Sequence, residues 1–113
     1  MYFSRMSADT LLILCTCPDR ACAESIANRL VDEHTAACVN ITQPVTSIYR
    51  WQGQRASDEE ILLLIKSNRR RYAQVESTIR AIHPYELPEV IAVPVERGLP
   101  DYLRWIDQCT TDS

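Results

Sequence analysis

Two scarce residue types in this chain can hold a soft metal or perform thiol chemistry. They are five cysteines, Cys15, Cys17, Cys22, Cys38 and Cys109, and two histidines, His34 and His83. Thiolate sulfur and imidazole nitrogen are the side-chain donors that suit late transition metals. Cys15 and Cys17 stand two residues apart in an apolar run, and strand alternation points both thiols to one face. The plainer reading of every cysteine is a small buried hydrophobe. For His83, in the last turn of a helix, it is an exposed imidazole favoured by the helix dipole. His34 flanks a helix stripe and reads only as surface, and Cys22, Cys38 and Cys109 read as packing or surface. Thiol catalysis needs a nucleophile with a base, and no spacing nominates a pair beyond Cys15 with His83. The expectation is a protein that is not an enzyme.

The elements that must position these residues follow from periodicity. Thr10 to Cys17 is a continuous apolar run, which suits a strand buried on both faces, and Pro18-Asp19 ends it. From Arg20 to Glu33, Ala23, Ile26, Ala27, Leu30 and Val31 recur at helical spacing behind Asp19 as N-cap. Ala37–Ile41 and Val45–Trp51 are β-rich and separated by Thr42-Gln43-Pro44, a bulge in one long bent strand. Gln52-Gly53-Gln54 supplies a turn, and after a polar stretch Glu60–Lys66 forms the partner of a hairpin. Asn68 is placed to cap a second helix with the stripe Tyr72, Val75, Ile79 and Ile82, stopped by Pro84. Val90–Val93 is the last strand. Pro100 opens a closing helix that carries Tyr102, Leu103, Trp105 and Ile106.

The order is βαββαβ plus a terminal helix. This predicts an α+β, ferredoxin-like antiparallel sheet with helices on one face. The expected organisation is a tail over 1–8, one domain over 9–109 and a tail over 110–113, with Met6 as an alternative start. The second strand of about 15 residues would reach about 50 Å, twice the first. Its hairpin must overhang the sheet and expose edges and aromatics that another subunit would cover.

Composition narrows the function. The 113 residues are 46% hydrophobic, enough for one core. A net charge of −3 gives no general attraction for nucleic acid or anionic membrane, and Arg69-Arg70-Arg71 reads as a solvated run. Two glycines leave no room for a phosphate loop. No run of about 18 apolar residues and no signal-like start is visible, so a cytoplasmic protein with reduced thiols is expected.

Five segments in order, Leu14–Asp19, Ala36–Ile41, Ser47–Gly53, His83–Glu89 and Asp101–Trp105, resemble the CutA family of divalent-cation tolerance proteins across Leu11 to Trp105. The resemblance implies a homotrimer with interlocking hairpins and copper binding in the metal-ion response. It implies ligands at a first-strand cysteine, here Cys15, and at two adjacent histidines before Pro-Tyr. Here the second is His83 and the first is replaced by Ile82. Cys17 is placed to add a second sulfur, and reduced copper, Cu(I), suits so sulfur-rich a set. Tyr49, Trp51, Lys66, Tyr85, Glu89, Tyr102 and Trp105 match further family positions. They read either as subunit contacts, with Lys66 pairing Glu89, or as a small-molecule cleft in the manner of PII-like signalling trimers.

Overall fold

The structure, a computed structural model, describes residues 9–111; the tail expected over 1–8 lies outside them. Its elements are β1 (Thr10–Cys17), α1 (Arg20–Asp32), β2 (Cys38–Trp51), β3 (Gln54–Asn68), α2 (Tyr72–Ile82), β4 (Ile91–Pro94) and α3 (Pro100–Cys109). The sheet order is β2-β3-β1-β4 with every neighbour antiparallel. This is the ferredoxin-like arrangement that the element order predicts.

Alternation along β1 sends Leu11, Ile13, Cys15 and Cys17 under the helices, where they meet Leu63, Ile65, Ile26, Leu30, Val75 and Ile79. Each fully buried Leu, Ile or Val contributes about 1.5–3 kcal/mol. The other sheet face is covered only at its Thr10–Asn68 end, where the C-terminal helix α3 meets β1 and β3. Leu12, Leu14, Leu62 and Leu64 are half-buried on that face, and Ile91 and Val93 are exposed. The expectation that β1 is buried on both faces is therefore corrected, because all the helix packing against its centre comes from one side.

Asp19 caps α1 as expected, its Oδ1 accepting the Cys22 N–H at 2.8 Å. The register of β2 against β3 shifts between Ile41 and Pro44, the site of the expected bulge. Two-residue closure places Gln52 at φ 52° and Gly53 at φ 78°, the paired positive φ values of a type I′ turn. The partner strand is longer than its apolar stretch suggests, since β3 begins at Gln54 and runs through the polar residues. Only Ile61–Asn68 of β3 pair with β1, so Val45–Trp51 and Gln54–Glu60 project beyond the sheet. The hairpin draws the molecule out to 48 × 25 × 23 Å.

Asn68 does not cap α2, whose N-cap is Arg71; as the last residue of β3 it ties the turn before that helix to the C-terminal end. Its Oδ1 accepts the Arg71 N–H at 3.0 Å, while its Nδ2 donates to Thr110 Oγ1 at 2.7 Å. Arg71 Nε donates to the Thr110 carbonyl at 2.8 Å. Thr110, the first residue of the expected C-terminal tail, is fully buried in this network and pins the end of α3 to the start of α2.

Candidate metal centre

The first strand delivers two thiols to one place. Cys15 and Cys17 are both fully buried on the helix-covered face at the end of β1. His83 joins them because of Pro84. A residue before proline is driven out of the helical region, and His83 stands extended at φ −74°, ψ 136° as the C-cap of α2. That geometry swings its imidazole off the helix end and onto β1. Nε2 lies 2.7 Å from the Thr16 carbonyl, and the Tyr85 N–H reaches Nδ1 at 3.1 Å. His83 is 7% exposed, which corrects the reading of an exposed helix-end imidazole.

The donor atoms of Cys15, Cys17 and His83 all lie within 4.8 Å of one another. A metal–sulfur bond of about 2.3 Å puts two sulfurs on one ion at most about 4.6 Å apart. The cluster is thus close to ion-holding size, and two thiols with an imidazole fit a soft ion. The Cys17 thiol is held well above the usual range, first by its interaction with the Cys15 thiol and then by burial. Cys22, in the first turn of α1, is pushed up to about 12 by burial and by the neighbouring Cys17. Without a metal these are protonated thiols. Ile82 packs against the core that contains both cysteines. Cys38 is opposite Lys66 in the β2–β3 register, whereas Cys15 is opposite Leu63 on β3, so Cys38 is not a neighbour of the thiol pair.

Beside this centre the hairpin and the connection after His83 enclose an open groove of about 850 Å³. Tyr49, Trp51, Tyr85 and Glu89 line it with Asp58 and Glu60. The Tyr49 hydroxyl donates to Asp58, and the Tyr85 hydroxyl donates to Glu60 at 3.1 Å. Burial, then the Glu60 carboxylate, pushes the Tyr85 phenol up to about 12. The Tyr85 ring also lies 4.7 Å from that of His83.

Lys66, Tyr102 and Trp105 do not join the groove. Lys66 Nζ bonds Asn40 Oδ1 and lies 3.8 Å from Cys38 Sγ rather than pairing with Glu89. Tyr102 and Trp105 stack on each other on the exposed side of α3, their centroids 5.5 Å apart. Sequence reasoning missed Asp58 and Glu60. The usable signal is their i, i+2 spacing on one strand face, with Asp58 diagonal to Tyr49 across the hairpin.

A split-βαβ sheet carrying a thiol–imidazole cluster at the end of its first strand defines a small ferredoxin-like domain with a donor set for soft metals. The chain belongs to the family of the CutA1 divalent ion tolerance protein, whose model matches residues 11–109. It is 42% identical over 99 residues to the divalent-cation tolerance protein CutA of Thermus thermophilus, covering 88% of this chain and 96% of that one. Against Protein CutA of Mus musculus it is 44% identical over 95 residues, covering 84% of this chain. It spans 54% of the mouse protein's length. The crystal structure of CutA from Xylella fastidiosa superposes with a TM-score of 0.88 at 47% identity, covering 91% of this chain and 99% of that one.

Proposed function

We propose that this protein binds copper between Cys15, Cys17 and His83 as part of the response to metal ions, acting as a homotrimeric binding protein rather than an enzyme. The observation that carries the reading is the convergence of two thiols and an imidazole within 4.8 Å. Among copper states the reduced ion suits this set, because Cu(I) accepts two or three soft donors. With Ile82 packed on the core, the chain offers one histidine next to Pro84. The buried Cys17 thiol, held protonated, is a poor nucleophile, which speaks against thiol catalysis at this centre. Anaerobic titration with Cu(I) against a competing chelator tests the site. One ion per chain, lost in Cys15→Ser, supports it; no uptake by wild-type protein refutes it.

The trimer reading rests on one face of the sheet and on the projecting hairpin. Leu12, Leu14, Leu62, Leu64, Ile91 and Val93 form a half-buried to exposed apolar patch on the face opposite α1 and α2. Ile48 and Trp51 at the hairpin are 68% and 46% exposed. Apolar exposure of this kind marks an association surface, and closed symmetry covers it in every copy. Light scattering coupled to gel filtration measures the state directly. We place the protein in the cytoplasm, since five free cysteines suit a reducing compartment; fractionation tests that.

The groove favours a second reading, a PII-like module that senses a small molecule or docks a partner. Tyr49, Trp51, Tyr85 and Glu89 surround a volume large enough for a metabolite. A metabolite screen run beside the metal titration separates the two, because a ligand bound in preference to any metal favours this one.

A further inference from the structure

We propose that metal uptake at His83 and the docked position of Tyr85 are mutually exclusive, so that loading the centre releases Tyr85 from the wall of the groove. The inference rests on the metal reading given above and adds what the ion does to the protein.

Both ring nitrogens of His83 are already used, and their partners dictate the tautomer. A backbone N–H only donates, so Nδ1, which receives the Tyr85 amide at 3.1 Å, carries the lone pair. A backbone carbonyl only accepts, so Nε2, at 2.7 Å from the Thr16 oxygen, carries the proton. A metal takes one lone pair of a neutral imidazole and leaves the proton on the other nitrogen. If the ion binds Nδ1, it replaces the Tyr85 amide outright. If it binds Nε2, the proton moves to Nδ1 and two N–H groups face each other. Either way, short of stripping the ring to imidazolate, the Tyr85 amide loses its acceptor.

Tyr85 is the residue that couples this event to the groove. Its ring packs on His83 at 4.7 Å and its hydroxyl anchors to Glu60 at 3.1 Å on the projecting part of β3. The docked connection and the metal therefore compete for one imidazole. By linkage, whatever weakens docking strengthens metal binding by the same factor.

Nitrogen-15 NMR of the full-length protein, titrated anaerobically with Cu(I), tests this without any substitution. The expected result is exchange of the His83 ring-nitrogen signals to a metal-bound pattern, with loss of the hydrogen-bond shift and exchange protection of the Tyr85 amide. Tyr85→Phe removes the anchor to Glu60 while keeping the backbone amide. It should bind Cu(I) about tenfold more tightly, the factor for one hydrogen bond to a charged group of about 1.5 kcal/mol net. A bound state in which Cys15 is required but the Tyr85 amide keeps its bond, or an unchanged affinity in Tyr85→Phe, overturns the coupling and leaves the metal site standing. No Cu(I) uptake at all overturns both.

Discussion

Replacing Cys15 by two different residues separates its role in the core from its role as a ligand. Cys15 is fully buried, and its thiol has a long contact of 3.8 Å to the Thr16 carbonyl beside its interaction with the Cys17 thiol. In Cys15→Ser a more polar hydroxyl occupies that position among apolar neighbours. Burying it with poor hydrogen bonding costs about 1–3 kcal/mol. For a domain near 100 residues, each kcal/mol moves Tm by about 4–8 °C, so a fall of about 5–20 °C is expected in the metal-free protein. Cys15→Ala removes the thiol without adding a polar atom and leaves a small void, so its Tm should lie above that of the serine variant. Both variants lose one of three donors and should lose stoichiometric Cu(I), read by chelator competition at equal folded fraction. Full Cu(I) uptake by Cys15→Ala would refute the site; a serine variant as stable as wild type would refute the burial argument.

Four further outcomes follow from the same arrangement. Leu64→Asp, on the face opposite α1 and α2, should lower the assembled mass by light scattering while circular dichroism keeps the helical signal. Unchanged assembly would place that face in solvent. Cu(I) affinity should rise with pH, because the ion displaces thiol protons and Cys17 is held above the usual thiol range; a flat profile contradicts thiolate ligation. Apo stability should hold up to about pH 9 and then decline, because Cys22 and Tyr85 are raised from 9.0 and 10.0 to about 12 and favour the protonated, folded state until they ionise; thermal melts across pH 7–11 check the direction. Ile82→His should raise affinity for Cu(II) in competition titration and lower apo Tm, since Ile82 now packs on the core.

Local signals predicted the elements well, and long-range ones account for what they missed. Asp19 before an apolar stripe and Pro84 after one are backbone effects that act within a few residues, and both fall where expected. The bulge at Thr42-Gln43-Pro44 was legible because a proline cannot donate to a ladder. The polar half of β3, Gln54–Glu59, was not. Those residues are held only by β2 on a hairpin open to both sides, so no hydrophobic alternation is required of them. The Asn68–Arg71–Thr110 network joins residues about 40 positions apart, a contact that no local period encodes. The same holds for the site. Cys15 and Cys17 sharing a face follows from alternation, but the approach of His83 to the Thr16 carbonyl, 67 positions away, belongs to the tertiary fold.

The position of the thiols explains why stability and metal chemistry cannot be varied independently here. The inward residues of β1 are Leu11, Ile13, Cys15 and Cys17, so the proposed ligands continue the line of core side chains that holds the sheet to its helices. In the apo protein they act as small hydrophobes, and the Cys17 thiol is held protonated first by its interaction with Cys15 and then by burial. A metal reverses that balance, because it needs thiolates and supplies the charge that makes buried thiolates tolerable. Its binding energy is then folding energy: an ion at 100 times its Kd stabilises the native state by about 2.7 kcal/mol. In the proposed coupling, that Kd already contains the cost of releasing Tyr85 from His83 and Glu60. By the same coupling, an ion would tighten the thiol end of the core while loosening the groove wall beside it, which would make metal occupancy legible on the molecular surface although the centre itself is buried.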